Sequence, residues 1–334
     1  MYFKAAVLTK KNIIKILELE KPTLKAHQVF VKLLYSSICH TQIQEISGQR
    51  GYDKFLPHCL GHEGVGKVIE KHKSVKKFNK GDIVCLSWIR SSGKDSGGSV
   101  YNEKNGIKVN AGPVHTLNEF AAISENRLFK IKKRKKLKQI VLLGCALSTA
   151  YNALDNKILK GSKSICIIGS GGLGLASVVV AKTFGYKEII VIDKIKKKLN
   201  AAKKLGATKI FDSLEKVNLN HQIDTVVECT GNINVLKKSM KFPKKFGGKL
   251  IFIGNYPNNE KILINPWIII QGVTLMGAWN DTKKFDSNFK KIEKIIRKKN
   301  LNIFFGKKSY KLMEINRVIE DIKKNKVIRP LIKL

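Results

Sequence analysis

Three short segments carry side chains that bind a soft divalent metal: Cys39-His40-Thr41, Gly61-His62-Glu63 and Gly144-Cys145-Ala146. A lone cysteine or histidine is ordinarily a core residue. Two thiols and an imidazole, each in a loop-like setting, are better explained together. Two cysteines, one histidine and an open fourth position make the ligand set of a catalytic zinc. Such a metal is a Lewis acid toward an alcohol or carbonyl oxygen. Two thiolates offset its charge, leaving a neutral centre that still lowers the pKa of a bound alcohol.

A second constellation lies downstream. Gly169-Ser170-Gly171-Gly172-Leu173-Gly174 follows the apolar run Ser164–Ile168 and opens a helical pattern. A GxGxxG between a strand and a helix is a dinucleotide fingerprint. Gly169 permits the tight turn, Gly171 lets backbone approach a pyrophosphate, and Gly174 lets helix and strand pack closely. The helix start, with Gly172 and Leu173, offers free N–H groups and a positive dipole end to phosphates. Asp193 follows Gly174 by 19 residues. An acidic residue there accepts hydrogen bonds from a ribose diol and repels a 2′-phosphate, which favours NAD over NADP.

The elements that must hold these groups change character along the chain. Residues 1–130 are rich in short alternating or β-branched runs, such as Val29–Leu34, Gly64–Glu70 and Asp82–Leu86, and read as a mostly-β domain. Met1–Leu8 reads as a first strand, without the apolar core of a signal peptide. The basic stretch Lys130–Lys138 reads as a solvated connection. From Val141, apolar runs alternate with helical patterns. The predicted strands are Ser164–Ile168, Glu188–Ile192, Lys209–Phe211, Asp224–Glu228, Lys249–Ile253 and Thr274–Gly277, with helices over Leu173–Phe184 and Lys194–Leu205. Repeated strand–helix–strand units predict an α/β fold with a doubly wound parallel sheet. The tail reads as a helix over Glu314–Lys324 and a strand over Val327–Leu334.

Composition sets the remaining bounds. A chain of 334 residues makes one large or two medium domains, and its 43% hydrophobic content excludes dominant disorder. Six cysteines are too few for a disulfide scaffold, so they are expected as thiols, metal ligands or core residues in a reducing cytoplasm. No apolar run is long enough to span a membrane. The net charge of +39 raises the possibility of a nucleic-acid partner. The excess is almost all lysine and spread along the chain, without a nucleic-acid motif, so it reads as compositional drift with no specific nucleic acid bound.

Further landmarks are Leu60-Gly61-His62-Glu63-Gly64, Gly81-Asp82-Ile83-Val84, Gly144-Cys145-Ala146-Leu147-Ser148-Thr149, Glu228-Cys229-Thr230-Gly231, Ile264-Asn265-Pro266 and Val327-Ile328-Arg329. In this order and spacing, over essentially the whole chain, the sequence resembles the zinc-dependent medium-chain alcohol dehydrogenases of the liver-type and glutathione-dependent branch. The resemblance implies a GroES-like catalytic domain from residues 1–146 plus 279–334 and a Rossmann NAD-binding domain from 147–278. It implies one catalytic zinc per chain on Cys39, His62 and Cys145, with Glu63 behind the metal and the Thr41 hydroxyl receiving the alcohol proton. His40 and Arg329 are expected near the cofactor pyrophosphate, Asp193 and Lys198 at the adenosine ribose, and Thr230 beside the cofactor. Trp88 and Leu117 are expected to line the substrate pocket. The partners implied are a small alcohol or aldehyde and a second copy of the chain in a homodimer, the segment Gly272–Gly277 pairing across it with Trp267 and Trp279 at its flanks.

The chain departs from the resemblance in two places. No cysteine lies between Arg90 and Gly112, so no structural zinc and a rebuilt lobe are expected. Gln42 stands where relatives place the aspartate that orients the zinc-bound histidine, and Gln44 where the proton relay often ends in histidine. Gln42 hydrogen-bonds without charge, which predicts His62 as a weaker-field ligand. Cys59, Cys85, Cys166 and Cys229 read as core. His58 and His115 lie in loops that could edge the site. His27, His72 and His221 have no supporting context. A zinc-free quinone-type reductase of the same fold is the rival reading within the family, and Cys39, His62 and Cys145 argue against it.

Overall fold

A computed structural model describes residues 1–132, 135–217, 223–279, 285–306 and 308–334. The chain divides into two compact units, one of Met1–Cys145 with Thr282–Leu334 and one of Ala146–Asp281. His221 lies outside the described residues.

The first unit is built on two sheets. A five-stranded sheet runs in the order Ile13–Glu20, Tyr2–Lys10, His58–Cys59, Lys108–Ala111, Ser99–Asn102. A second runs Leu128–Lys130, Ile83–Ser87, Glu63–Lys71, Gln28–Ser37, Leu331–Lys333, Tyr310–Lys311, with Phe120–Ser124 also pairing Gln28–Ser37. Period-2 alternation explains how one strand serves two cores. In Tyr2–Lys10, Phe3, Ala5 and Val7 pack with Phe30, Tyr101 and Val109. Their neighbours Ala6 and Leu8 pack with Ile38, Leu60 and Leu117. The predicted strands are present with ends moved by a residue or more, and the tail strand shortens to Leu331–Lys333 behind Pro330, which has no N–H for a ladder.

The stretch Lys130–Lys138 is not merely a solvated connection. Lys136 Nζ donates to the carbonyls of Ile296, Arg297 and Lys299 at 3.1, 2.9 and 2.8 Å. These end the helix Phe285–Lys298. A cation at a helix C-terminus satisfies carbonyls that lack intrahelical partners and meets the negative end of the dipole.

The second unit is a six-stranded sheet, parallel throughout. Numbered along the chain, its strands Ser164–Ile168, Glu188–Ile192, Lys209–Phe211, Thr225–Glu228, Lys249–Phe252 and Thr274–Gly277 lie in the order 3-2-1-4-5-6. That is the doubly wound order, with its switch point beside the first strand. The strands are apolar because helices cover a parallel sheet on its faces. Ile165 and Ile167 are fully buried, and so are Val178 and Val179 of the helix Gly172–Thr183 that follows. No helix among the described residues is long and apolar enough to cross a membrane.

Candidate metal centre and dinucleotide loop

Cys39, His62 and Cys145 converge within the first unit, their ligand atoms all within 4.8 Å of one another. Local structure aims each of them. Cys39 is the N-cap of the short helix His40–Ile46. His62 follows Gly61, whose φ of +97° suits glycine alone, and a Cβ there would stand 2.4 Å from Thr116 Oγ1. The Leu60 carbonyl takes the N–H groups of Thr116 and Leu117 at 3.1 and 3.0 Å, which pins the loop carrying His62. Cys145 follows the 3₁₀ turn Val141–Gly144. A Cβ on Gly144 would meet Leu86 O at 2.5 Å and Glu63 Cβ at 2.7 Å, so only glycine lets this turn lie against Glu63. Ser87 Oγ donates to the Gly144 carbonyl at 2.8 Å and fixes it there.

The donor set fits zinc. Cys39 Sγ lies 3.3 Å from His62 Nε2. Ligands of one tetrahedral zinc, with bonds of about 2.3 Å to sulfur and 2.0 Å to nitrogen, stand roughly 3.5 Å apart. The titration of the three groups matches. A hydrogen bond from Cys145 holds the Cys39 thiol well below its ordinary value, against its burial, and His62 adds to the effect. Cys145, donating that bond, is pushed well above its own ordinary value, with burial and the Cys39 charge adding. Burial works against charge on His62, but Cys39 and Glu63 raise its pKa overall. A metal binding here takes both sulfurs as thiolates, so binding releases any thiol proton still held.

Behind this cluster Glu63 is fully buried and Arg329 is 3% exposed. Arg329 Nη2 donates to Glu63 Oε1. Burial pushes the Glu63 carboxyl up while Arg329 pulls it down. The Arg329 guanidinium thus pairs with the carboxylate beside the metal ligands. Glu63 Oε2 is buried with no hydrogen-bond partner. One further expectation changes. Gln42 does not hold His62: its Oε1 accepts the Gly61 N–H at 2.6 Å, and its Nε2 donates to Glu45 Oε2 at 2.5 Å. The amide thus holds the backbone just before His62. The carboxylate of this corner is Glu45, pushed up by burial and drawn back by His58 and His62. The i, i+3 spacing of Gln42 and Glu45 on one helix was the available signal.

Leu117 does not line a pocket. It is fully buried in the core with Ala6, Leu8, Ile38 and Leu60. Trp88 is half-buried, and Arg127 Nη1 donates to its carbonyl. His115 does not edge the site either. It is fully buried, its Nε2 accepting from the Tyr101 hydroxyl at 2.6 Å and its Nδ1 donating to the Gly112 carbonyl at 3.0 Å. Burial lowers its pKa to about 4. His58 is buried against Asp53 at 2.8 Å. Cys59, Cys85 and Cys166 are buried, and burial pushes their thiols up. Cys229 is only partly buried by its surface but shifts the same way. Thr41 follows Cys39 in the helix, half-buried, and His40 is exposed at the helix start.

In the second unit the glycine loop has the geometry a dinucleotide needs. Gly169 has φ +90°. A Cβ on Gly174 would stand 1.8 Å from Gly169 O, whereas a Cβ on Gly171 meets nothing within 4 Å. The first excludes any larger residue; the second is open space for a phosphate. Asp193, past the strand Glu188–Ile192, accepts the Ser170 N–H at 2.7 Å and the Ile195 N–H at 2.8 Å. It thereby ties the end of this strand to the glycine loop. Lys198, in the helix Lys196–Leu205, is half-buried, with its pKa lowered by burial against the pull of Asp193. Thr230 donates its N–H to Glu228 Oε1 at 2.6 Å and its methyl abuts Gly169, where an added Cβ would meet it at 2.7 Å. Glu228, fully buried, also accepts from Tyr256 and so organises this loop, a role sequence reading did not assign.

Two family models match the chain: the alcohol dehydrogenase GroES-like domain over residues 25–133 and the zinc-binding dehydrogenase over residues 172–296. Among named relatives, the class-3 alcohol dehydrogenase of Caenorhabditis elegans is 27% identical over 92% of this chain and 90% of its own. The S-(hydroxymethyl)glutathione dehydrogenase of Photobacterium damsela subsp. piscicida is 27% identical over 79% of this chain and 81% of its own. Among solved structures, benzyl alcohol dehydrogenase from Acinetobacter calcoaceticus superposes with a TM-score of 0.85 at 22% identity, covering 100% of this chain and 99% of that one. An alcohol dehydrogenase zinc-binding domain protein from Burkholderia ambifaria reaches 0.89 at 21% identity with the same coverage. With both domains matched in order and the cysteine–histidine–cysteine cluster assembled between their landmarks, the chain belongs to the zinc-binding alcohol dehydrogenase family.

Proposed function

We propose that this chain is an NAD-dependent alcohol dehydrogenase that converts an alcohol and NAD to an aldehyde or ketone, NADH and a proton, and runs the reverse reaction as an aldehyde reductase. The observation that carries the reading is the cluster Cys39, His62 and Cys145, the first buried and the other two half-buried. When bound, zinc supplies a Lewis acid for the substrate oxygen and NAD accepts the hydride. Cys39, His62 and Cys145 hold the metal. The Thr41 hydroxyl, two residues from a ligand thiol, receives the alcohol proton and hands it toward the cofactor ribose and water. Glu63 and Arg329 brace the ligands from behind. His40 and the loop Gly169, Gly171, Gly172, Leu173 and Gly174 cradle the pyrophosphate, with Thr230 against the loop. Asp193 and Lys198 take the ribose and favour NAD. Trp88 forms a wall of the substrate pocket.

Exposed apolar side chains support a homodimer. Ile264, Trp267, Ile269, Ile270 and Trp279 are exposed beside the edge strand Thr274–Gly277. An open strand edge flanked by large apolar side chains is a pairing surface. Six free cysteines support a reducing, cytoplasmic setting.

The test is NADH formation and consumption across alcohols and aldehydes, including sugar alcohols and a glutathione–formaldehyde mixture, with and without a zinc chelator. Turnover abolished by the chelator supports the reading. A Cys145→Ser variant with full zinc and full activity would refute the ligand set. An Asp193→Ala variant that still rejects NADP would refute the ribose assignment.

A further inference from the structure

The loop after the strand Ile83–Ser87 is seated on four consecutive residues. Ser124 Oγ accepts the Ser96 N–H at 2.7 Å. Glu125 Oε1 accepts the Lys94 N–H at 3.2 Å. The Asn126 carbonyl accepts the Ser91 N–H at 2.6 Å. Arg127 Nη1 donates to the Trp88 carbonyl. Each step forward along the platform is a step back along the loop. Asp95 closes the arrangement. Its Oδ2 lies 3.3 Å from Arg127 Nη2 and 3.2 Å from Arg90 Nε. Its Oδ1 accepts the Gly97 N–H at 3.0 Å and the Ser124 hydroxyl at 3.3 Å. Gly93, at φ +110°, would bring a Cβ to 3.1 Å from Glu125 Cγ, so the loop lies flat on the platform.

The Arg127 guanidinium is the least expected part of this arrangement. The residue is 8% exposed, and its Nε is buried with no hydrogen-bond partner. Burying a cation is costly unless its partners are well placed. Here the two terminal nitrogens serve one carboxylate and one backbone carbonyl, a forked geometry that lysine cannot reproduce. The carbonyl is that of Trp88, where the chain leaves the sheet and the loop begins. The segment from Arg90 to Gly112 contains no cysteine.

We propose that Arg127, held by Asp95, is a positioning residue for the alcohol: it fixes the backbone at Trp88 and thereby the wall against which the substrate lies. The proposal rests on the dehydrogenase reading for the statement that Trp88 faces the substrate. It assigns a specificity role to two residues outside the metal and cofactor sites.

The test uses the zinc-loaded chain with Trp267→Phe and Trp279→Phe, which leaves Trp88 as the sole tryptophan of three. Asp95→Asn and Arg127→Lys are introduced separately, with Asp95→Glu as the conservative control. Expected are a red-shifted Trp88 emission and at least a twofold rise in acrylamide quenching for Asp95→Asn and Arg127→Lys, with Asp95→Glu near the parent. The KM for the best alcohol rises about tenfold, the loss of one charge-assisted hydrogen bond, while the KM for NAD and the zinc content stay unchanged. Unchanged emission and quenching in both variants would overturn the proposal, whether or not any alcohol is turned over. So would an altered emission with an unchanged alcohol KM. A parent chain that turns over no alcohol while Trp88 responds as expected would overturn the dehydrogenase reading, and the substrate half of this proposal with it.

Discussion

Replacing Glu63 by glutamine tests whether the carboxylate behind the metal ligands is structural support or an accessory. Glu63 is fully buried and Arg329 is 3% exposed, and the two are joined directly. Glu63→Gln leaves a guanidinium in the interior without its main counter-charge. Removing one partner of a buried pair costs about 3–5 kcal/mol. The nearby Cys145 and Cys39 also favour the charged guanidinium, and the new amide oxygen still accepts a hydrogen bond, so the low end applies, about 3 kcal/mol. The first unit holds about 200 residues. At roughly 2.1 cal/mol/K per residue its unfolding entropy is about 0.4 kcal/mol/K, and 3 kcal/mol becomes a fall in Tm of about 7 °C. Scanning calorimetry of the zinc-loaded protein reads this directly. The double variant Glu63→Gln/Arg329→Met, which removes both charges, should recover at least half of the loss. A single-variant loss below about 2 °C, or a double variant worse than the sum of its parts, would refute the view of Arg329 as a charge that Glu63 must neutralise.

Three other perturbations have signed outcomes. Gly174→Ala puts a Cβ where Gly169 O stands 1.8 Å away, so the phosphate loop must open. NADH titration by fluorescence should show at least tenfold weaker binding, with zinc content unchanged, about the 1.4 kcal/mol expected from a misplaced loop. Gly144→Ala puts a Cβ 2.5 Å from Leu86 O and displaces the turn before Cys145. Competition against a chelator should show zinc held at least tenfold more weakly, while NADH binding persists. His115 has a folded pKa of about 4 against an ordinary 6.5, so the unfolded chain binds the proton first. Its contribution is complete above pH 6.5 and is lost as pH falls toward 4, by about 3 kcal/mol. In metal-free protein, His115→Gln should flatten the fall of the urea midpoint across that window, and an unchanged slope would refute the assignment.

Much of this molecule was legible in its sequence because the decisive residues carry local signatures. The run Ser164–Ile168, the glycines after it and Asp193 specify a strand, a turn and a helix without reference to distant residues. Asn265 and Pro266 likewise start the helix Pro266–Ile270, the Asn265 side chain accepting the Trp267 N–H at 3.0 Å. Cys39, His62 and Cys145 were legible only as a set of ligand types, since nothing local brings residue 145 beside residue 39. What was not legible depends on side-chain reach across the fold. Gln42 acts on the Gly61 N–H, 19 residues along the chain. Arg329 meets Glu63 from 266 residues away. His115 sits in a loop by sequence and Leu117 in the pocket by resemblance, yet both are fully buried, with the Leu117 N–H held by the Leu60 carbonyl. Lys136 finds the end of a helix that begins at Phe285.

The sheet that holds the ligands depends on the last strand of the chain. Gln28–Lys32 pairs with Ser124–Phe120, but Tyr35–Ser37 pairs with Leu331–Lys333. During synthesis at about 5–20 residues per second, residue 333 follows residue 35 by roughly 15–60 seconds. Through that interval the end of the strand leading into Cys39 has no neighbour on that side. The residues of the parallel-sheet unit are complete well before this pairing can form. Nascent chains stalled short of residue 331 should therefore contain a protease-resistant nucleotide-binding half and an unfinished ligand-bearing half. Metal loading would then be a late event, after the strand Leu331–Lys333 has paired, and free zinc before that point would gain little hold on the first two ligands.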